Sequence, residues 1–324
     1  MPLEVLHSPS EWKARFGPRG TGSVLTVGNF DGLHLGHQRI LHDVVERARS
    51  RNAVSTVVTF DPPPLKLLRP EAAPPRISTL TQRLEGFRHA GLDAALVVHF
   101  DAAFAKVSAE DFIRKILLDQ VGMRAILVGE NFRFGHRHLG DTRLLAELGR
   151  AQGFNVEIVP PMLCRGEIVS STAIRREVAE GRVSRAARLL GRPFVLTGEI
   201  RRGTGMGNKF VFPTLNLAPE QELLPGQGVY VTETTVEGRL WRSATNVGRR
   251  PTFNGASLSV ESHLFGFSES RTAGRMEIHF WKRLRDEKKF SGPEELRGQI
   301  TLDIARAKAF FNRLERAHRA QQSA

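Results

Sequence analysis

Apolar and polar residues follow two alternating patterns along the first half of the chain. Short apolar runs at 23–28, 54–60 and 124–129 (SVLTVG, VSTVVTF and RAILVG) predict buried strands, because they have strand length and are rich in β-branched residues. Between the first two runs, apolar residues recur at helical spacing on one face: Ile40, Leu41, Val44, Val45 and Ala48. This alternation predicts an α/β domain with a parallel, doubly wound sheet of the Rossmann-like type.

The pattern changes near residue 190. Short β-rich runs such as FVLTGEI, GVYVTETTV and RMEIHFWKRL follow one another, separated by Gly and Pro, and they predict an antiparallel barrel or sandwich. Only the last stretch, PEELRGQITLDIARAKAFFNRLERA, returns to a long helical pattern. We therefore expect two domains, 1–186 and 187–324, which a length of 324 residues also favours.

Composition and charge narrow the function only slightly. The net charge of +13 suits anionic partners such as nucleotides, flavin phosphates, nucleic acid or an anionic membrane, and it equally suits a cationic surface with no partner. The sequence shows no signal peptide and no apolar run long enough for a membrane span. The single cysteine, Cys164, excludes an intrachain disulfide. We expect a cytoplasmic protein with neither a membrane nor a nucleic-acid partner, and the sequence does not indicate the oligomeric state.

The segment VGNFDGLHLGH (27–37) lies between a predicted strand and a predicted helix. Its two histidines, His34 and His37, are three residues apart, which leaves a metal site, an ordinary turn and a phosphate-binding loop as alternatives. Zinc needs a third ligand, and Asp31 is the only nearby candidate. A phosphate-binding loop is favoured, because glycines let the backbone approach an anion and a helix N-terminus offers free N–H groups.

Four segments, taken in order, resemble a known family. GNFDGLHLGH contains an HxGH signature of nucleotidyltransferases, and VGENFRFG, VSSTAIR and GRVSRAARLLGRPF follow it as in the N-terminal half of bacterial bifunctional riboflavin kinase/FAD synthetases. The resemblance implies that His34 and His37 hold the ATP phosphates and stabilise the transition state of adenylyl transfer. It implies further ATP- and flavin-binding residues: Gly28, Asn29, Phe30, Asp31, Gly36, Asn131, Arg133, Ser170, Ser171, Thr172 and Arg175.

A second candidate phosphate site lies in TGEIRRGTGMGNKFVFPTLNL (197–217). Gly203, Gly205, Gly207 and Lys209 form a flexible basic loop, which suits either phosphates or a hairpin turn. In the PTLN segment, Thr214 and Asn216 are two residues apart, so an extended chain points both oxygen-bearing side chains the same way. Such hard oxygen donors suit Mg²⁺.

This half resembles riboflavin kinases, through PTLN and through NVGRRPTF, VESHLFGF and LRDEKKF further along. The resemblance implies that Thr214 and Asn216 bind Mg²⁺ with ATP, that the glycine loop binds ATP and that Glu261 is the general base. Alternation in SLSVESHLF places Glu261 on the more polar face of its strand. The chain departs from the family pattern at Pro63, His138, Asn208, Val211 and Ala273.

The resemblance covers nearly the whole chain and implies a bifunctional enzyme. The C-terminal domain would phosphorylate riboflavin to FMN with ATP, and the N-terminal domain would transfer adenylate from ATP to FMN, giving FAD and pyrophosphate. The alternatives are an adenylyltransferase with a weakened or inactive kinase domain, another HxGH nucleotidyltransferase with an accessory β-domain, and a non-enzymatic nucleic-acid binder.

Overall fold

The computed structural model describes residues 2–201, 212–252, 255–268 and 273–322. The chain divides into two compact units, Met1–Ser171 and Thr172–Ala324. The boundary expected after residue 186 would fall inside a helix, Val183–Leu190, so the position of the functional boundary stays a prediction. No helix within the described ranges is both long and apolar enough to span a bilayer.

The first unit is built on a six-stranded parallel sheet. Its strands are β1 (Glu4–Leu6), β2 (Ser23–Val27), β3 (Val54–Asp61), β4 (Ala94–His99), β5 (Met123–Gly129) and β6 (Asn155–Val159), in the spatial order β1-β4-β3-β2-β5-β6. All five pairings are parallel. A small hairpin of β7 (Leu163–Cys164) and β8 (Glu167–Ile168) lies outside the sheet.

Helices cover both faces of this sheet, which confirms the doubly wound prediction. They are α1 (Pro9–Phe16), α2 (Leu35–Ser50), α3 (Pro64–Leu68), α4 (Leu80–His89), α5 (Ala109–Asp111) with its π-helical continuation Phe112–Leu118, and α6 (Thr142–Gln152). Adjacent residues of β2 enter different cores: Val24 belongs to the core that contains Leu41 of α2, whereas Leu25 belongs to the core that contains Trp12 of α1. Such alternation is the geometry of a strand buried on both sides.

Two parts of this unit differ from the sequence prediction. In the sequence, the Pro-rich stretch 61–76 (DPPPLKLLRPEAAPPR) predicts an extended loop. The structure places α3 within it, since proline in the first helical turn lacks only an N–H that the helix leaves unpaired. The N-terminal β1 and α1 were not predicted. Ser8 caps α1 by accepting from Glu11 N, and Trp12 anchors the helix with only 2% of its surface exposed.

The second unit is a closed antiparallel barrel, which decides between the barrel and sandwich alternatives. Two helices, α7 (Ser171–Ala179) and α8 (Val183–Leu190), precede the strands β9 (Phe194–Arg201), β10 (Leu215–Pro219), β11 (Gly228–Val236), β12 (Arg239–Thr252), β13 (Gly255–Leu264) and β14 (Arg275–Arg285). Their spatial order is β10-β13-β12-β11-β14-β9. The terminal helix α9 (Pro293–Gln322) confirms the long helical pattern.

Hydroxyl groups fill part of the barrel interior and satisfy one another. Thr232, Thr234, Ser243, Thr245 and Ser262 are fully buried and hydrogen-bonded at 2.7–3.0 Å. Successive residues of a strand point to opposite faces. Since Ser262 points into the barrel, its neighbours Glu261 and His263 point outward. The second candidate site lies on that outer face.

Candidate active sites

The loop that carries HLGH lies at the topological switch point of the sheet. The chain passes from β2 to β3 and β4 on one side, and later adds β5 and β6 on the other side of β2. The connections after β2 and β5 therefore leave the same edge in different directions, which is the place where sheets of this class bind ligands. Residues 28–34 follow β2 at this edge, and the segment after Gly129 follows β5.

His34 caps the helix that follows the loop. Its Nδ1 accepts a hydrogen bond from the backbone N–H of His37 at 3.2 Å, and only 7% of the residue is exposed. Because Nδ1 accepts, a neutral His34 carries its proton on Nε2. The cap therefore fixes the tautomer and leaves an N–H that can donate to an anion.

The two histidines form a stacked, uncharged pair. Their ring centroids lie 3.6 Å apart with the planes 17° from parallel. Burial lowers the pKa of His34 to about 4, and burial together with neighbouring His34 places the pKa of His37 well below its usual value. Both rings are therefore neutral at pH 7, and each has one N–H that can donate and one ring nitrogen that can accept. The buried Nδ1 of His37 has no hydrogen-bond partner within the described part of the chain.

Phe30 and Gly36 shape the space around these rings. Phe30 is 3% exposed, and its ring packs edge-on against His37 at 5.0 Å and against Phe87 at 5.7 Å. Phe30 thus supports His37 from the core side. A Cβ at Gly36 would lie 3.2 Å from His34 Nδ1, so glycine keeps the capping ring free.

Asp31 connects the HLGH loop to residues 77–78, which precede α4, through hydrogen bonds. Its carboxylate accepts from the N–H groups of Ile77 and Ser78 at 3.0–3.1 Å and from the Ser78 hydroxyl at 3.1 Å. The same hydroxyl accepts from Gly32 N at 2.9 Å. Gly32 has a φ of 83°, which favours glycine at this turn. The structure therefore gives the predicted ligand-binding residue Asp31 a role in fixing the loop.

Arg83, which the sequence interpretation missed, lies beneath the same loop. It is 3% exposed and donates to the Asn29 carbonyl and the Thr59 hydroxyl, both at 2.9 Å. Its Nη2 lies 3.5 Å from an Asp61 carboxylate oxygen, and burial lowers the pKa of the guanidinium. The available signal was its helical spacing: Arg83 is four residues before the core residue Phe87, on the apolar face of α4.

The structure brings Ser171 of the SSTAIR motif to this loop. The Ser171 hydroxyl donates to the Asp31 carbonyl at 2.9 Å, across 140 positions of sequence. Ser171 is the first residue of α7, and Ser170, which precedes it, is partly buried. Thr172 and Arg175 follow in that helix and belong to the second compact unit.

Asn131 and Arg133 follow β5, the strand next to β2. Asn131 is exposed, and Arg133 forms an ion pair with Asp141 at 3.2 Å. Asp141 also caps α6 by accepting from Leu144 N at 2.9 Å, and this hydrogen bond lowers its pKa. The strand order places these residues at the same edge as Gly28. No group of three His, Cys, Asp or Glu side chains suited to a metal occurs among the residues that the structure describes.

In the second candidate site, the pairing of strands β10, β13 and β12 places the predicted residues opposite one another. Asn216 of β10 lies directly opposite Glu261 of β13, and Glu261 in turn lies opposite Asn246 of β12. All three are partly buried, whereas the flanking Leu215 and Ser262 face inward. The predicted polar face of β13 is thus the outer face of the barrel, and it brings Asn216 and Glu261 together.

Two residues that the sequence interpretation did not single out lie near this row. A Cβ at Gly248 would clash with the carboxylate of Glu287 and would lie 3.0 Å from Asn246 Nδ2. Glu287 therefore approaches the same outer face, beside Asn246. Thr214 is partly exposed just before β10. The proposed kinase loop residues Gly203, Gly205, Gly207 and Lys209, like the departures Asn208 and Val211, lie outside the described residues.

The first cluster lies in the α/β unit, and the second lies in the barrel. A family model for FAD synthetase matches residues 18–173, and one for riboflavin kinase matches residues 190–311. The expected functional boundary lies between the two matched ranges.

Curated relatives match along almost their whole length. The bifunctional riboflavin kinase/FMN adenylyltransferase of Escherichia coli K12 is 34% identical over 90% of this chain and 93% of its own. The protein of that name from Pseudomonas fluorescens is 36% identical over 90% of this chain and 94% of its own. A solved structure, described as a macrolide-efflux protein from Streptococcus pneumoniae, superposes with a TM-score of 0.81 at 26% identity and covers 89% of this chain and 94% of that chain.

The chain belongs to the family of bifunctional riboflavin kinase/FMN adenylyltransferases. It is an enzyme that phosphorylates riboflavin to FMN and adenylylates FMN to FAD, with ATP as co-substrate of both reactions. The family resemblance seen in the sequence is thereby confirmed.

Proposed function

We propose that the HLGH loop carries out adenylyl transfer and that the outer face of the barrel carries out riboflavin phosphorylation. The observation that carries the first assignment is the hydrogen bond from Ser171 to Asp31, which joins two motifs with phosphate-binding chemistry at the switch point of the sheet. The second assignment rests on the direct pairing of Asn216 with Glu261.

In the first site, a phosphate oxygen of FMN attacks the α-phosphorus of ATP and pyrophosphate leaves. The neutral His34 and His37 donate N–H groups to phosphate oxygens as charge builds up in the transition state. Neutral rings suit this role because each carries an N–H that can donate at pH 7. The family resemblance adds Gly28, Asn29, Phe30, Asp31, Gly36, Asn131 and Arg133 as ATP- and flavin-binding residues, and Ser170, Ser171, Thr172 and Arg175 as phosphate-binding residues.

In the second site, the terminal ribityl hydroxyl of riboflavin attacks the γ-phosphorus of ATP and ADP leaves. Glu261 takes the hydroxyl proton as general base. Thr214 and Asn216 offer a hydroxyl and an amide carbonyl on one face of an extended segment, a donor set that fits Mg²⁺ bound jointly with ATP phosphates. When bound there, the cation supplies charge neutralisation at the β- and γ-phosphates. Gly203, Gly205, Gly207 and Lys209 complete the ATP contacts.

Reciprocal loss of the two activities tests these assignments. His37→Ala should abolish FAD formation from supplied FMN and leave FMN formation from riboflavin nearly intact, and Glu261→Ala should do the reverse. Separation of the flavins by chromatography after incubation with ATP and Mg²⁺ measures both reactions in one sample. If either substitution lowered both activities in a folded protein, the division between two sites would be wrong. The cytoplasmic location and the lack of a nucleic-acid partner stay predictions.

A further inference from the structure

A histidine on the outer face of the barrel connects the two elements of the proposed kinase site. His263 lies two residues after Glu261 on β13, and its Nδ1 is 2.9 Å from the carbonyl oxygen of Pro213. A carbonyl can only accept, so Nδ1 carries a proton and donates it. This bond fixes the backbone immediately before Thr214.

The strand register places this bond beside the proposed metal-binding residues. Leu215 lies opposite Ser262 and Asn216 opposite Glu261, and continuing the antiparallel order by one residue puts Thr214 beside His263. Glu261 and His263 share one face because they are two residues apart on a strand. In this register, Thr214 lies beside His263, and Asn216 lies beside Glu261.

Aromatic neighbours restrict the orientation of the histidine ring. Phe212 packs edge-on against it with centroids 5.6 Å apart, and Phe265 lies 5.8 Å away. Burial lowers the pKa of His263, and the positive charge of Lys308 acts in the same direction. The Nδ1–H of the ring is thus directed at the Pro213 carbonyl.

We propose that His263 is a positioning residue of the kinase reaction, which holds the segment 213–216 so that Thr214 and Asn216 face Glu261. This inference rests on the proposed kinase site. His263 touches neither the reacting hydroxyl nor the phosphates in this account, and it acts through the backbone that it binds.

Two substitutions separate the hydrogen bond from the packing of the ring. His263→Phe keeps an aromatic ring against Phe212 but removes the donor, whereas His263→Asn places an amide N–H close to the former Nδ1 position. In the full-length protein, His263→Phe should raise the KM for Mg·ATP about tenfold, as expected for the loss of one hydrogen bond, and leave the KM for riboflavin unchanged. His263→Asn should restore the KM for Mg·ATP to near the wild-type value.

Control variants distinguish a positioning role of His263 from a nonspecific disturbance of the barrel structure. His279→Phe, at another half-buried histidine of a barrel strand, should leave both KM values unchanged. FAD formation from supplied FMN should stay at the wild-type rate in every variant. A wild-type KM for Mg·ATP in His263→Phe would overturn the inference, and so would equal impairment in the Phe and Asn variants, since that would show ring packing alone to matter.

Thr214→Val separates failure of this inference from failure of the proposed site. If Thr214→Val impairs the kinase reaction while His263→Phe does not, only the positioning role is wrong. If Thr214→Val leaves the kinase reaction unchanged, the kinase site is misplaced and the role of His263 falls with it.

Discussion

The two proposed sites are held in place by different parts of the fold. In the first unit, Asp31, Arg83 and Ser171 come from distant parts of the sequence, and each fixes a loop through hydrogen bonds to backbone groups. In the barrel, Asn216 and Glu261 face each other because two strands are in register, and the strands are held by their own ladder. Substitutions at the first site should therefore change stability and activity together, whereas those at the second should change activity alone.

Glu261→Gln should produce the largest effect, because it removes the proposed base without changing the size of the side chain. We expect FMN formation to fall by about 10²–10⁴-fold, the range typical of a general base. Because register and interior packing are untouched, the free energy of unfolding should stay within about 0.5 kcal/mol of the wild type. Initial rates with riboflavin and urea unfolding curves measure the two quantities. A kinase rate within tenfold of the wild type would remove Glu261 from the mechanism.

His34→Ala should lower FAD formation by about 10²–10³-fold, since a donor to the transition state is lost, and should also remove the helix cap, which is worth about 1 kcal/mol. His34→Asn is the matched control, because asparagine is a good N-cap but lacks the ring N–H. It should recover the lost stability without recovering the rate. Recovery of the rate in His34→Asn would show that His34 acts only as a cap.

Arg83→Met should destabilise the first unit by about 2–4 kcal/mol, because it removes the donor to the Asn29 carbonyl and the buried Thr59 hydroxyl and the ion-pair partner of Asp61. Hydrogen exchange should accelerate in peptides from the first unit and stay unchanged in peptides from the barrel, which serve as an internal control. Riboflavin phosphorylation should persist. Uniform acceleration across both units would contradict the separation of the two cores.

Acid should weaken the first unit in a defined pH range. The unfolded chain protonates His34 near pH 6.5, but the folded protein does so only near pH 4. The unfolded state therefore binds more protons between these values, and stability present above pH 6.5 is lost as the pH falls toward 4, by about 3 kcal/mol. His37 contributes in the same direction. Urea unfolding at several pH values measures this slope, which should be smaller in His34→Asn.

The same pKa values predict a flat activity profile at neutral pH. Neither histidine changes its charge between pH 6 and 8 in the free enzyme, so kcat/KM for FAD formation should show no step near pH 6.5 that depends on them. A step at that pH that His34→Asn abolishes would show that His34 works as a charged group.

The parts of the fold that depend on local pattern could be predicted from the sequence. The run SVLTVG and the helical spacing after it place HLGH at a strand–helix junction, where the structure has it. Likewise, the alternation in SLSVESHLF correctly puts Glu261 on the face opposite to Ser262. Both inferences need only the periods of strand and helix.

Interactions between distant segments could not be predicted in this way. The sequence assigns Asp31 to ligand binding, and only the folded chain shows that its carboxylate accepts hydrogen bonds from the N–H groups of Ile77 and Ser78. Arg83 looks like an ordinary charged helix residue until the Asn29 carbonyl is found beside it. The pairing of Asn216 with Glu261 depends on register, which alternation alone does not specify.

Mixing two variants tests whether riboflavin phosphorylation and adenylyl transfer take place at two independent sites. His37→Ala should convert riboflavin only to FMN, and Glu261→Ala should accept only FMN, so neither forms FAD from riboflavin alone. We predict that the mixture, supplied with riboflavin, ATP and Mg²⁺, forms FAD after a lag while FMN accumulates. A mixture that forms no more FAD than either variant alone, although Glu261→Ala converts supplied FMN, would contradict the account.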